Sequence, residues 1–273
     1  MKRFAISLIQ QILLITLSLV SLYPLWFVVQ TALKTPQAYA LNPSGLPQAP
    51  TLANFFSLFH VMPFGRWTLN SVVVSLMSVA AATLIAVLAA YAIVFGRFLG
   101  QRVFFNLNIA LMALPPVALI VPLFTLMVQG GLINTLPSVM LVYTVLLIPF
   151  SVFFLVNFFR ELPLELVEAA TIDGASHGRI LFQIVMPLSV ATTATLVIVN
   201  AIWVWNELLF ALVFLQNNDQ RTVMAGLALF QGRFATNEPL MMAGAFLSIL
   251  PLLVLYLASQ RFFIRGMTAG IGK

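Results

Sequence analysis

Few residues in this 273-residue chain can do chemistry, and four of its seven carboxylates stand together: Glu161, Glu165, Glu168 and Asp173. Such a cluster offers charge to a basic partner. A second candidate is Glu207, which follows Asn206 and lies near Trp203, Trp205 and, two turns earlier, Asn200. Aromatic faces with amide and carboxylate hydrogen bonds are what binds a sugar, so this group can line a pathway for one. The competing reading makes it an anchor at the membrane edge, where tryptophans collect. The remaining chemistry is excluded by composition. There is no cysteine, and His60 and His177 lie far apart, so no metal site, disulfide or thiolate nucleophile is expected. No Gly-x-x-x-x-Gly-Lys-Ser/Thr loop occurs, so the chain itself is expected to bind no ATP, Mg2+ or other cofactor.

The elements that position these residues must be membrane helices. Charged residues make up 7% of the chain, hydrophobic residues 62%, and mean hydropathy is +1.06, whereas a soluble domain carries about 25% charge. At roughly 20 apolar residues per crossing, the sequence predicts an all-α polytopic membrane protein forming one permease domain over 1–273. Six spans fall near 6–29, 69–95, 104–128, 136–158, 188–215 and 240–259. The first is too long for a signal peptide and contains Tyr23, Pro24 and Trp26. A Pro- and Gly-rich connection covers 35–65, in which 52–59 is either a short interfacial helix or an ordinary loop turn. Pro115 and Pro116 in the third span imply a bend, either beside a pathway or as a simple packing kink. With both termini inside, nine of the thirteen Lys and Arg residues fall on the cytoplasmic side and four outside. That bias places the acidic loop, 160–187, in the cytoplasm. The net charge of +6 sits in loops and tails and marks topology, with Arg97 and Arg102 among its determinants, rather than a nucleic-acid surface.

Local signals shape the acidic loop. Pro163 suits a first helical turn, and Glu161 and Glu165 suit the positive end of the helix dipole. The spacing predicts a helix to about Ile172, ended by Gly174 in a left-handed conformation. Ser176 then caps a second short helix, 177–185, with Ile180, Leu181, Ile184 and Val185 on one apolar stripe. Pro187 is expected to end that helix and open the fifth span. Ala169 and Ala170 keep one face small, so that a partner's groove can approach.

The series Glu168-Ala169-Ala170, Gly174, Ile184 and Met186-Pro187 resembles the loop signature of permease subunits of binding-protein-dependent ABC importers. Met186 stands where leucine is usual, a swap that conserves volume. Leu132-Ile133-Asn134-Thr135, Phe158-Phe159-Arg160, Trp205 through Leu212 and Arg265 through Gly270 are similar to segments of the carbohydrate-uptake branch, whose maltose-type subunits have six spans. The resemblance covers spans three to six well, and spans one and two only in layout.

It implies a set of partners: a second permease subunit, two ATPase subunits that bind the ATP and Mg2+, and an extracytoplasmic solute-binding protein, all at a bacterial or archaeal cytoplasmic membrane. Glu168, Ala169, Ala170, Asp173 and Gly174 would dock in a cleft of the ATPase. Asn200, Trp203, Asn206 and Glu207 would border the pathway, although in maltose-type systems the companion subunit carries most sugar contacts. Gly232, Arg233, Phe234, Thr236 and Asn237 resemble in position a loop that enters the binding protein, or else form a solvated connector. The implied activity is sugar import by alternating access; glycerol-phosphate or another non-sugar solute is the alternative cargo. A stand-alone secondary transporter would need more intramembrane charge than Glu207 supplies and would leave the acidic loop without a task. An intramembrane enzyme would need a nucleophile–base pair or a metal cluster.

Overall fold

The computed structural model describes residues 2–96, 98–233 and 237–269, and their side chains over 10–96, 98–230 and 237–260. The described residues form helices joined by short turns. In order these are α1 (Lys2–Ala32), α2 (Pro36–Leu41), α3 (Ala53–Val61), α4 (Phe64–Phe95) and α5 (Gln101–Met112). A 3-10 turn (Pro116–Leu119) leads into α6 (Ile120–Gln129), and α7 (Leu136–Phe159) and α8 (Leu164–Ile172) follow. Next come α9 (His177–Ile180), a π turn (Leu181–Val185), α10 (Met186–Asn206), α11 (Leu209–Phe214), α12 (Val223–Arg233) and α13 (Glu238–Ala269).

Five of the described helical stretches are long and apolar enough to cross a membrane: Gln10–Ala32, Phe64–Phe95, Leu136–Phe159, His177–Asn206 and Glu238–Gln260. α5 and the Pro116–Gln129 stretch pass the same test only as a pair, bent by 96°: one broken span or a re-entrant loop. The count of six therefore stands if the bent pair is one span, with three differences of detail. The third span is broken rather than kinked. Pro115 takes an extended conformation (φ −66, ψ 124), and Pro116 starts a new helix, because two successive prolines remove two amide donors and push the preceding residues out of the helical region. The fifth span starts eleven residues before the expected 188, at His177, and its straight part ends at Asn206. The connection expected over 216–239 contains α12.

Where the sequence suggests one domain, the chain divides into two compact units, 1–65 with 226–251, and 66–225 with 252–273. In the first, the connection after α1 is knit by polar side chains. Lys34 is buried, and its Nζ donates to the carbonyls of Asn42 and Pro43, both at 2.9 Å. Asn54 donates to the carbonyls of Ala32 and Lys34, both at 2.7 Å. The helix suggested at 52–59 is α3, and Phe55 meets Phe246 of α13 edge-on at 6.1 Å. Gly244 lets α12 and α3 approach α13: a Cβ there would lie 2.7 Å from Leu227 and 3.4 Å from Leu58.

The second unit has two apolar clusters. One joins the C-terminal halves of α4 and α7 to α8 and the start of the His177–Asn206 helix, around Tyr91, Leu155, Phe159, Val167 and Ile180. The other joins α4, α7, α10 and α11 around Val74, Tyr143, Phe210 and Phe214. Inside a membrane, helices gain little from burying apolar surface, because lipid is equally apolar; small polar clamps then add specificity. Several such clamps are present, two of them made by asparagines. Asn200 donates to Ser151 Oγ at 2.9 Å, and Asn108 donates to the Pro149 carbonyl at 2.9 Å.

The opposite ends of this unit have different chemistry. At one end, Trp67, Asn70 and Ser71 on the first turns of α4 bond the backbone of 218–223 at 2.7–2.9 Å, and Arg66 pairs with Asp219 at 3.5 Å. Asn134, with φ 63, accepts from the amides of Gln216 and Asn217 at 2.7 and 2.9 Å. At the other end lie the C-termini of α4 and α7, the start of α5, and the acidic elbow.

Candidate functional site

The elbow is built as its residue types dictate. Pro163 precedes α8, and Glu165 occupies its first turn. The helix ends in a Schellman motif: the Ala175 amide bonds the Ala170 carbonyl at 2.9 Å and the Gly174 amide bonds the Thr171 carbonyl at 3.1 Å. Gly174 sits between them with φ +76, where a Cβ is disfavoured. Ser176 then caps α9, its Oγ accepting from the Arg179 amide at 3.4 Å.

Glu168, Ala169 and Asp173 are exposed and Ala170 is half-buried. The inner face is fixed by Val167, Ile180, Leu181 and Val185, which are buried against α4 and α7. This apolar face fastens the elbow to the bundle. Leu164 and Ile172 remain exposed, Ile172 to 86%. Together with Val167, Glu168 and Thr171 they line a cleft of about 740 Å3, bordered also by Tyr91, Val94, Phe95, Gly96 and His177. His177 is also tied to the bundle: its Nδ1 lies 3.2 Å from Tyr91 Oη. Nothing in the sequence signalled Tyr91, one aromatic residue among many in an apolar run.

Pro187 does not end the second elbow helix. The helix continues through the π turn, in which the Met186 amide reaches the Leu181 carbonyl, and into α10. Proline at position 187 has no amide for the carbonyl one turn back, and the wider turn preceding it accommodates the ring. The elbow and the fifth span are thus one helix of 30 residues, His177–Asn206, about 45 Å long at 1.5 Å per residue.

At the far end of that helix the backbone breaks at Glu207 (φ −69, ψ 125). The Glu207 carboxylate neither reaches out to bulk water nor waits free for a solute. Oε1 accepts from the amides of Leu209 and Phe210 at 2.9 and 3.2 Å. Oε2 accepts from the amides of Phe210 and Ala211 at 3.1 and 3.3 Å and from Tyr143 Oη at 2.5 Å. Glu207 therefore caps α11, placing negative charge at a helix N-terminus within the membrane-spanning bundle.

Of the other pathway candidates, Trp203, Asn206 and Glu207 border one open cleft of about 670 Å3, together with Pro116 and Val117 at the break in the third span. Trp203 also packs edge-on against Tyr143 at 5.8 Å. Asn206 donates back to the Ile202 carbonyl at 2.8 Å. Asn200 does not reach the cleft: it is 1% exposed and engaged with Ser151. The sequence missed Tyr143, which lies 64 positions from its carboxylate partner, beyond any local pattern.

Of the outer-loop candidates, Phe234 and Thr236 lie outside the described residues, as do the side chains of Gly232 and Arg233, which end α12. Asn237 starts α13, its Oδ1 accepting from the Leu240 amide at 3.2 Å. Among the described residues no group of three or more His, Cys, Asp or Glu residues is placed to hold a metal.

Comparisons with known proteins agree with this architecture. A family model described as binding-protein-dependent transport system inner membrane component matches residues 82–269. The chain is 38% identical over 253 residues to the sulfoquinovosyl glycerol transport system permease protein SmoH of Agrobacterium fabrum, covering 91% of this chain and 88% of that one. It is 33% identical over 251 residues to the melibiose/raffinose/stachyose import permease protein MelC of Bacillus subtilis, covering 92% and 91%. The fold is shared with a chain of a crystal structure of a bacterial ABC transporter involved in the import of the acidic polysaccharide alginate, with TM-score 0.81, 23% identity, and coverage of 94% and 96%.

Proposed function

The chain belongs to the binding-protein-dependent transport system inner membrane component family, and from that premise we propose that it is the permease subunit of an ATP-driven importer of sugars or sugar-containing solutes. It is a membrane protein and a transport component rather than an enzyme. The sugar reading draws on relatives such as SmoH and MelC, whose names specify sulfoquinovosyl glycerol and melibiose, raffinose and stachyose.

One observation carries the mechanism: a single helix runs from the elbow to the cleft. Its cytoplasmic end bears the Schellman turn and α8; its other end bears Trp203 and Asn206 and stops at Glu207. In the proposed cycle, two ATPase subunits receive α8, with Glu168 facing a basic residue and Leu164 and Ile172 entering an apolar surface. ATP-driven closure moves the elbow. Since the elbow and the fifth span share one backbone, the displacement reaches the cleft as a rigid-body tilt rather than being lost at a hinge. A second permease subunit completes the pathway, and an extracytoplasmic binding protein supplies the solute. Both termini are cytoplasmic in this reading. The engagement of Glu207 with backbone amides leaves Trp203 and Asn206 as the side chains facing a passing solute.

Glu168→Lys tests the docking role. Like charges at an interface cost several kcal/mol, so solute uptake by the reconstituted system is expected to fall by about ten-fold or more while the chain still inserts in the membrane. Uptake at the wild-type level would overturn it.

A further inference from the structure

We propose that a cationic cavity at the elbow end of the bundle holds the phosphate of an anionic phospholipid. The cavity, about 470 Å3, lies where the last turn of α4, the first turns of α5 and the end of α7 meet. Its polar lining consists of Arg102, Arg160, Gln101 and Asn106, and no acidic residue lines it. The ion pair of Arg66 with Asp219 lies at the opposite end of the unit, and among the described residues neither Arg102 nor Arg160 pairs with a carboxylate. The two arginines therefore present charge that no described carboxylate neutralises.

Their frame is built. Arg160 lies over the ring of the buried Phe105, 4.6 Å from its centroid, and that ring is stacked on Phe153 of α7. Gln101 donates to the Ile93 carbonyl, tying α5 to α4. At the start of α5, Gly100 provides no side-chain cap, so the first amide donors add to the positive character. A planar guanidinium fixed by aromatic stacking is suited to paired bonds with phosphate oxygens.

The apolar surroundings select a lipid over a soluble anion. Val103, Phe104 and Leu107, on the same helix, are 61%, 55% and 60% exposed. Cationic cavity and exposed apolar face thus follow one another in the order of headgroup phosphate and acyl chain. Basic pockets between spans at the cytoplasmic surface bind such headgroups. Only the leaflet depends on the topology proposed above: with the elbow in the cytoplasm, the site faces the inner leaflet. A wrong topology would move the site to the other leaflet without removing it.

The test is native mass spectrometry of the assembled transporter in neutral detergent, titrated with phosphatidylglycerol, phosphatidylcholine or inorganic phosphate. Phosphatidylglycerol is expected to be retained in preference to phosphatidylcholine. Retention should weaken about five-fold on neutralising either arginine and about thirty-fold in the Arg102→Gln/Arg160→Gln double variant. Because Arg160 also packs on Phe105, Arg160→Lys serves as a second variant. It keeps the charge but loses the planar fork, so its retention is expected to fall between that of the parent and that of Arg160→Gln, and retention no better than Arg160→Gln would mean that charge is not what holds the lipid. Equal retention of phosphatidylcholine, unchanged phosphatidylglycerol retention in the double variant, or displacement of the lipid by inorganic phosphate would each overturn the proposal.

Discussion

Removing the Glu207 carboxylate would leave the amides of Leu209, Phe210 and Ala211 and the Tyr143 hydroxyl without their acceptor. A buried donor stripped of its partner costs about 1–3 kcal/mol, and water is scarce inside a bundle. Glu207→Ala is therefore expected to destabilise the purified protein by about 3 kcal/mol or more, seen as an earlier thermal transition in detergent. Tyr143→Phe removes one bond and should cost about 1 kcal/mol. In the double variant the two losses should be less than additive, since the residues share a bond. Strict additivity would show that the Tyr143–Glu207 contact contributes nothing. The presence of a carboxylate among tryptophans was legible in the sequence, but its task was not. Pathway lining and edge anchoring both looked outward from the helix, whereas the structure turns both oxygens toward the next helix of the same chain.

Between elements, the decisive joint is Gly174. It holds α8 at a fixed angle to the long helix, and a Cβ there meets nothing within 4 Å. A substitution is therefore penalised by the left-handed backbone rather than by a clash. A β-branched residue in that conformation costs roughly 1–2 kcal/mol, and the joint should yield before the bundle does. Gly174→Val is expected to reduce co-purification of ATPase subunits while leaving membrane insertion intact. Gly174→Asn should retain much of it, because asparagine tolerates positive φ. Equal loss in both variants would mean that the left-handed turn is not what matters. This joint was readable because Schellman turns are local: Gly174, Ala170 and Thr171 lie within one turn of each other. The continuity of α9 with α10 was not, since Pro187 is a stop signal by every local rule. The π turn that passes it is supported by the packing of Ile180, Leu181 and Val185 on α4 and α7.

For the whole molecule, the proposed topology rests on the asymmetry of basic residues. Since the chain has no cysteine, single introduced thiols report on one position each. A cysteine replacing the exposed Ser176 is expected to react with a membrane-impermeant maleimide only when the cytoplasmic face is open. One replacing the exposed Asn217 should react in intact cells. Labelling of position 176 from outside would invert the topology and remove the docking role.

The sequence by itself determined the membrane class, the long apolar helices, and the elbow with its motif. These rest on composition, on apolar runs and on contacts within a few residues, all of which are linear properties of the chain. Only the tertiary structure decided that the third span is broken by 96°, that Asn200 clasps Ser151 instead of facing the cleft, that Tyr143 meets Glu207, and that Arg102 and Arg160 share one cavity. Each of the last three depends on which residues meet across 40 to 70 positions of sequence. In a chain where nearly every span is apolar on all sides, no periodicity says which face will meet which neighbour. The placement of a few polar side chains decides it, because in lipid an unmatched polar group costs more than any apolar contact returns.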